Sequence, residues 1–203
     1  MRRVTLAVLG LVGTIGTAWA GPLEDGLAAY HRFDFKEALR SIAPLAEAGN
    51  PKAQGLLGKM HVNGQGVPLS SIRAVRWLRL AAQKNDADAQ QELALLYFRG
   101  KGVPLNLEEA AKWFTLAAEQ GNANAQQCLA GLYAGGDGVP QSYIHAHLWY
   151  SLAERNGLQV SRASRVAIET RMTRAQLDKA KELLAQCEVS KRGCDSSSDQ
   201  ASK

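Results

Sequence analysis

A glycine-rich loop that recurs every 36 residues constrains the fold of this chain more than any other feature. The loop Gly64-Gln65-Gly66-Val67-Pro68 returns as Gly100–Pro104 and as Gly136–Pro140. The same spacing separates three tryptophans and three alanines: Trp77, Trp113 and Trp149; Ala53, Ala89 and Ala125. A fixed period of about 20–50 residues is typical of repeat arrays. We therefore predict an all-α array of stacked antiparallel helix pairs, an α-solenoid, with full repeats at 51–86, 87–122 and 123–158.

Each repeat is predicted to contain two helices. The first helix ends at Gly64, Gly100 or Gly136, because glycine accepts the left-handed conformation that terminates a helix. Asn50 and Asn122 are suited to cap the first helices, and Ser70, Asn106 and Ser142 are suited to cap the second helices. Apolar residues recur at helical spacing along the second helix, as in Ala74, Trp77, Leu80 and Ala81. We expect this face, including Trp77, Trp113 and Trp149, to be buried.

The array is predicted to end in atypical units. Residues 21–50 read as a degenerate hairpin with helices at 23–32 and 34–48, and Phe33 and Phe35 fall on its apolar face. Beyond Gly157 the period breaks, and residues 159–189 are predicted to form two capping helices. One covers 161–172, and the other begins at the capping box of Thr173 and Gln176 and runs to about Cys187. The polar, serine-rich stretch 190–203 is predicted to be a disordered tail.

Residues 1–20 have the pattern of an export signal. Arg2 and Arg3 precede an apolar core, and Ala18-Trp19-Ala20 is a small-x-small cleavage pattern. The core is shorter than the roughly 20 apolar residues that span a bilayer, so we expect no integral membrane anchor. The predicted location is periplasmic or secreted. The net charge of +5 includes the two arginines of this segment, and the remaining bias is too weak to predict a nucleic-acid partner.

Export permits disulfides, and the chain has three cysteines. Cys187 and Cys194 flank a short polar loop and are predicted to pair across it. Cys128 is then unpaired. It is either a small buried residue on an apolar helix face or a free thiol open to an intermolecular bridge.

The repeat resembles that of the Sel1-like family, which is related to tetratricopeptide repeats. In the middle copy the motif consists of Ala89, Leu93, Tyr97, Gly100, Gly102, Val103, Ala110, Trp113, Ala117 and Ala118. The resemblance implies a right-handed superhelix of helix pairs. It also implies a role as a scaffold or adaptor, often in bacterial envelope processes.

In such arrays the first helices of the hairpins line the concave side. By analogy with tetratricopeptide repeats, we predict a partner-binding face made of Tyr30, His31, Lys59, Val62, Asn63, Gln91, Leu95, Phe98, Arg99 and Gln127. Its apolar centre and polar rim would suit an extended peptide or a partner helix. The alternative is that Leu95 and Phe98 only pack between neighbouring hairpins.

The sequence predicts no catalytic residue, metal ligand or cofactor site. His145 and His147 are two residues apart on a helix and face different directions, and His61 replaces a packing tyrosine. Some cysteine-rich secreted members of the family are linked to β-lactam binding or hydrolysis, but here only Cys128 lies within the repeats. We therefore predict a monomeric, non-enzymatic adaptor for a protein or peptide. The alternatives are a hydrolase acting on a cell-wall or β-lactam substrate, and an array that assembles with itself.

Overall fold

The computed structural model describes residues 21–190, which form ten α-helices and no strands. In chain order the helices are α1 (Pro22–His31), α2 (Phe35–Glu47), α3 (Pro51–Asn63), α4 (Ser71–Gln83), α5 (Ala87–Arg99), α6 (Leu107–Glu119), α7 (Ala123–Gly135), α8 (Tyr143–Arg155), α9 (Ser161–Glu169) and α10 (Arg174–Ser190). The predicted all-α class is confirmed. The predicted export signal, the stretch 191–203 and Cys194 lie outside the described residues.

The helices stack as consecutive hairpins. Helices α1 to α8 pair in sequence, from α1 with α2 to α7 with α8, and the second helix of each pair packs on the first helix of the next. Helices α9 and α10 both pack on α8 and close that end of the stack. Because each hairpin contacts mainly its neighbours, the fold is the one-dimensional array that the 36-residue period predicts.

Side-chain caps fix where the helices begin. The carboxylate or amide oxygens of Asn50, Asp86 and Asn122 accept hydrogen bonds from the backbone N–H three residues on, at 2.9–3.0 Å. Ser70, Asn106 and Ser142 cap the second helices in the same way. The predicted caps are confirmed, and Asp86 fills the same role at the start of α5.

The second glycine of each loop is required by a close approach as well as by its backbone angle. Gly102 has a φ of +75°, and a Cβ there would lie 2.5 Å from the carbonyl oxygen of Ser71. At Gly66, with a φ of +70°, it would lie 2.7 Å from the carbonyl oxygen of Phe35. Each loop therefore rests on the start of the second helix in the preceding hairpin, and any side chain would force the two apart.

The buried face of the second helices differs from the predicted one. Ala74, Leu78 and Ala81 are fully buried, as are Ala110, Phe114 and Ala117. Leu80 and Leu116, which we expected in the core, are 38% and 43% exposed. A second helix packs on its own partner and on the next hairpin, so its buried stripe is centred on the small alanines and the residue after each tryptophan.

The expectation of three buried tryptophans is wrong for Trp77 and Trp113, which are half-buried, and right for Trp149, which is 3% exposed. Trp149 belongs to α8, the second helix on which α9 and α10 pack, and it joins a core cluster with Ile168 of α9. Trp77 and Trp113 have no such covering helices.

Two terminal details also differ from the prediction. Phe33 lies in the turn between α1 and α2 with a φ of +63° and is 77% exposed, so it is not on a helix face. Helix α9 ends at Glu169, short of the predicted Met172. The capping box is confirmed, because Thr173 and Gln176 exchange reciprocal hydrogen bonds of 2.9 and 3.2 Å.

Candidate partner-binding face

The first helices of the hairpins line two open clefts. One, the polar cleft, has a volume of about 330 Å³. Its walls come from α1, α3, α5 and the start of α7, and its polar lining is Tyr30, His31, Lys52, Lys59, Asp86, Asp88, Gln91, Glu92, Asn122 and Asn124. Residues from four first helices meet in one cleft only if those helices share one side of the array. We call that side the inner face.

The second cleft, the apolar cleft, has a volume of about 370 Å³. It is lined by Leu95, Phe98, Phe114, Gln127, Cys128, Gly131, Leu132, Asp137 and Tyr150. Helix α5 supplies Gln91 and Glu92 to the polar cleft and Leu95 and Phe98 to this one. The two clefts are therefore consecutive along α5.

Most of the predicted binding residues lie in these clefts. Tyr30, His31, Lys59 and Gln91 line the polar cleft, and Leu95, Phe98 and Gln127 line the apolar one. Whether any of them contacts a partner stays a prediction.

Three predicted residues line neither cleft. Val62 packs against the core between α4 and α5. Asn63 is exposed and donates a hydrogen bond of 3.2 Å to Gln65. The exposed Arg99 acts electrostatically on both Glu92 and Cys128, which places its charge between the two clefts.

The alternative interpretation, that Leu95 and Phe98 only pack between neighbouring hairpins, applies differently to the two residues. Leu95 is half-buried and packs against the core cluster formed mainly by α6, α7 and α8, so it is both a packing residue and part of the cleft wall. Phe98 is 41% exposed. The phenyl ring of Phe98 is therefore the more accessible apolar contact on the inner face.

A cluster of charged and polar side chains connects the first helices α3, α5 and α7 of three consecutive hairpins at the polar cleft. Lys52 Nζ lies 3.0 Å from Asp86 Oδ2 and 3.9 Å from Asp88 Oδ2. The hydrogen bond to Asp86, with the nearby carboxylate charges, raises the pKa of Lys52 despite partial burial. Asn122, the N-cap residue of α7, donates a hydrogen bond of 3.1 Å to Asp88 Oδ1. These partners are 34–36 residues apart in sequence, and no motif of the sequence indicates that they meet.

Glu92 is a half-buried carboxylate in the polar cleft. Burial raises the pKa of Glu92, while the charges of Lys59 and Arg99 act in the opposite direction. In this setting Glu92 can accept hydrogen bonds from the amides or cationic groups of a ligand.

Tyr30 and the glycine loop form one rim of the inner face. The Tyr30 hydroxyl donates a hydrogen bond of 2.8 Å to Oε1 of Gln65, which also accepts from Asn63. This contact joins the end of α1 to the loop after α3 and orients the Tyr30 ring at the polar cleft.

Cys128 is a free, half-buried thiol in the wall of the apolar cleft. Burial raises the pKa of the Cys128 thiol, which disfavours the nucleophilic thiolate. Cys187 is disulfide-bonded, and its predicted partner Cys194 lies outside the described residues, so the identity of the pair stays a prediction.

A serine, a histidine and a carboxylate do lie together, but as a structural link. Ser151 Oγ donates to the carbonyl oxygen of His147 at 2.7 Å and lies 3.5 Å from His147 Nδ1, while His147 Nε2 lies 2.9 Å from Glu169 Oε1. Ser151 and His147 are 6% and 3% exposed, and neither lines a cleft. This connection joins α8 to α9.

The other histidines of the repeats have structural partners. His61 is buried with Nδ1 3.1 Å from the carbonyl oxygen of Pro68, and the His145 ring stacks on Tyr133 at 5.0 Å between centroids. Within residues 21–190 no group of three or more His, Cys, Asp or Glu side chains could hold a metal ion. No helix in the same part of the chain is long and apolar enough to cross a membrane.

Several solved structures are similar to this chain, and two of them are described here. The Sel1 repeat protein from Oxalobacter formigenes is 27% identical, with a TM-score of 0.68 over 87% of this chain and 79% of that one. The protein c5321, described as a protective antigen present in uropathogenic Escherichia coli strains displaying an SLR fold, is 37% identical with a TM-score of 0.69. That match covers 74% of this chain but only 33% of the antigen, so this chain spans about a third of its length.

No curated protein matches this chain. A family model described as the Sel1 repeat matches residues 51–86, 87–122 and 123–158, which together make up more than half of the sequence. The chain therefore belongs to the Sel1 repeat family.

Proposed function

We propose that this protein is an exported scaffold or adaptor that binds a protein or peptide through its inner face, as part of a bacterial envelope process. The Sel1 repeat fold supports a protein-interaction role. The observation that supports the inner face most directly is the placement of both clefts along α5. One extended ligand can therefore cross from the polar cleft to the apolar cleft without changing direction.

The two linings suit different side chains of such a ligand. An apolar side chain fits the cleft of Leu95, Phe98 and Tyr150, and a polar or cationic group fits the cleft of Glu92 and Asp88. Each cleft is near the lower end of the roughly 300–1,000 Å³ range of small-molecule pockets. Two small open clefts in a row favour a peptide or helix with separate anchor residues over one enclosed small molecule.

Export is the second part of the proposal. It is supported by the basic, apolar and small-residue pattern of residues 1–20. Fractionation of cells that express the full chain, with N-terminal sequencing of the product, tests it directly. We expect a product that begins at Gly21 outside the cytoplasm, and an unprocessed product that stays in the cytoplasm would contradict export.

The inner face is tested by partner capture with two matched variants. Phe98→Glu places a charge on the inner face, and Leu116→Glu places the same charge on α6 away from both clefts. The native side chains are 41% and 43% exposed, so the two substitutions have similar effects on folding. A partner captured from envelope extracts should be lost with Phe98→Glu and kept with Leu116→Glu. A partner that both variants retain would exclude the inner face as the binding surface.

A further inference from the structure

A row of exposed apolar side chains runs along the edge of the array where the second helices begin. Phe33, Leu69 and Leu105 are 36 residues apart, and each directly precedes the N-cap residue of α2, α4 or α6. Ile72 lies at the start of α4 beside Leu69. The exposed fractions of Phe33, Leu69, Ile72 and Leu105 are 77%, 69%, 74% and 63%. We call these four side chains the edge row.

The glycine loops bring the members of the edge row close together. The loop that leads to Leu69 rests through Gly66 on the backbone of Phe35, and the loop that leads to Leu105 rests through Gly102 on Ser71. Successive members therefore follow one another along the same edge of adjacent hairpins. Exposed apolar side chains grouped on one edge mark interaction sites.

The strip is flanked by positive charge. Residues 64–85 contain four Lys or Arg and no Asp or Glu. The exposed cations nearest the edge row in sequence are Arg32, Lys36, Arg73, Arg76 and Lys101. Two carboxylates of this edge are neutralised within their own helices, Glu37 by Arg40 and Glu109 by Lys112. The exposed carboxylates of Asp34 and Glu108 lie near Phe33 and Leu105, so the positive charge is concentrated around Leu69 and Ile72. A partner that covers the strip therefore needs an apolar region that accepts these side chains and negatively charged groups beside it.

The shape of the strip decides between two classes of partner. All four side chains are 63–77% exposed and none lines either cleft, so the edge row projects into solvent. A partner helix or strand binds in a groove or along an open sheet edge. A lipid interface instead accepts projecting apolar side chains while flanking Lys and Arg contact anionic headgroups.

We propose that the edge row docks this protein on an anionic lipid surface. Leu69 and Ile72 enter the interface, and Arg73 and Arg76, one helical turn further along α4, bind the headgroups. The edge row shares no residue with the inner face, so membrane docking leaves both clefts open to a peptide.

The test is sedimentation with lipid vesicles. The chain from Gly21 onward retains every helix of the structure and omits the apolar residues 1–20, whose own partitioning would mask the effect. It is mixed with vesicles of phosphatidylcholine alone or of phosphatidylcholine with phosphatidylglycerol. We expect binding to the anionic vesicles that weakens as ionic strength rises. Equal binding to both vesicle types, or none to either, would overturn the proposal.

Matched variants locate the surface. Because each basic residue near an anionic membrane contributes about a fivefold factor, Arg73→Gln with Arg76→Gln should lower the partition coefficient roughly 30-fold. Leu69→Ser with Ile72→Ser should lower it roughly tenfold. The control, Val160→Ser with Arg171→Gln and Arg174→Gln, changes exposed residues at the other end of the array and should leave binding unchanged.

Two further outcomes would overturn the lipid assignment. One is an equal loss of vesicle binding in the control, which would indicate a diffuse charge effect. The other is binding of a glutamate-rich amphipathic helical peptide, abolished by the edge-row variants, in a protein that binds no vesicles. That result would identify an acidic protein as the partner of the strip.

Discussion

The side chain of Gln90 donates a hydrogen bond of 3.1 Å to the backbone carbonyl oxygen of Ala82 near the end of α4. Its own Oε1 accepts a bond of 2.6 Å from Gln120 at the end of α6. A single buried amide thus joins α4, α5 and α6. Gln126 repeats the arrangement 36 residues on, between Ala118 and Asn156. These glutamines hold consecutive hairpins in register by polar contacts within an otherwise apolar core.

We predict that Gln90→Met lowers the free energy of unfolding by about 1–3 kcal/mol, because Ala82 and Gln120 each lose a partner. Gln54→Met should cost less than half as much. Gln54 bonds Ala46 at 3.1 Å, but its buried Oε1 has no hydrogen-bond partner among the described residues. Position 84 holds a lysine where the later repeats have Gln120 and Asn156, and Lys84 donates to Gly49 instead. Chemical denaturation measures both losses, and equal losses would contradict the three-helix role of Gln90.

Gly102 and Gly157 have different surroundings, so we predict that replacing each by alanine lowers the free energy of unfolding by different amounts. Gly102→Ala should destabilise by more than about 3 kcal/mol, because the new Cβ is strained at positive φ and also collides with Ser71. Gly157 has a φ of +96°, and a Cβ added there would meet nothing within 4 Å, so Gly157→Ala should cost only about 1–2 kcal/mol. Thermal melts of the pair provide the comparison. A Gly102→Ala protein as stable as Gly157→Ala would disprove the close packing of the loop on the preceding hairpin.

Burial separates the three equivalent tryptophans. Trp149→Ala should cost about 3–5 kcal/mol, the usual range for a buried aromatic residue. Trp113→Ala should cost clearly less, because that side chain is only half-buried. Denaturation midpoints of the two variants test the role of α9 and α10 as a cover over α8. If Trp113→Ala is the more damaging substitution, that role is excluded.

The C-terminal helices should weaken in mild acid. Burial lowers the pKa of His147 below its usual value of 6.5, and Glu169 only partly opposes this effect. Arg165 binds the same carboxylate, so little negative charge remains to stabilise an imidazolium. The unfolded chain then takes up a proton at higher pH than the folded chain, and stability falls as pH drops below about 6.5.

The variant His147→Gln tests whether His147 causes this loss of stability in acid. The quantity to compare is the slope of the free energy of unfolding against pH, because the substitution also changes the overall stability. Between about pH 7.5 and 5.5 the variant should lose less stability than the native protein. Glu169 contributes separately. Burial would raise the pKa of its carboxyl, but His147 and Arg165 outweigh burial and lower it. Its contribution is therefore lost only below its usual value of 4.5. Identical slopes for native and variant proteins would rule out His147 as the titrating group.

The sequence predicts the array well because the residues that begin and end its helices act locally. Ser70, Asn106 and Gly100 act through backbone groups a few residues away, so their roles follow from residue type and spacing alone. The burial of Trp113 could not be predicted in the same way. Whether a helix face is covered depends on the helices that follow it in the chain. Among the second helices of the described hairpins, only α8 has two later helices, α9 and α10, packed on it.

On the inner face, too, some features follow from local sequence and others depend on how hairpins pack. The analogy with tetratricopeptide repeats placed Leu95 and Phe98 on one face, and both line the apolar cleft, because residues three apart share a helix face. The contacts of Lys52 with Asp86 and of Asn122 with Asp88 depend on how consecutive hairpins stack, because each joins residues 34 apart in sequence. No local pattern indicates them. The Cys128 thiol likewise becomes part of a cleft only through the approach of Phe98 and Tyr150.

The most direct test of the inner face is site-specific photo-cross-linking in intact cells. A photoreactive phenylalanine analogue replaces Phe98 in one protein and Leu116 in another, and the products are identified by mass spectrometry. We expect one specific adduct from position 98 and none from position 116. Alkylation of Cys128 should slow when the purified partner is added. An adduct that forms only from position 116, with unchanged Cys128 alkylation, would place the binding surface on the outer side of the array.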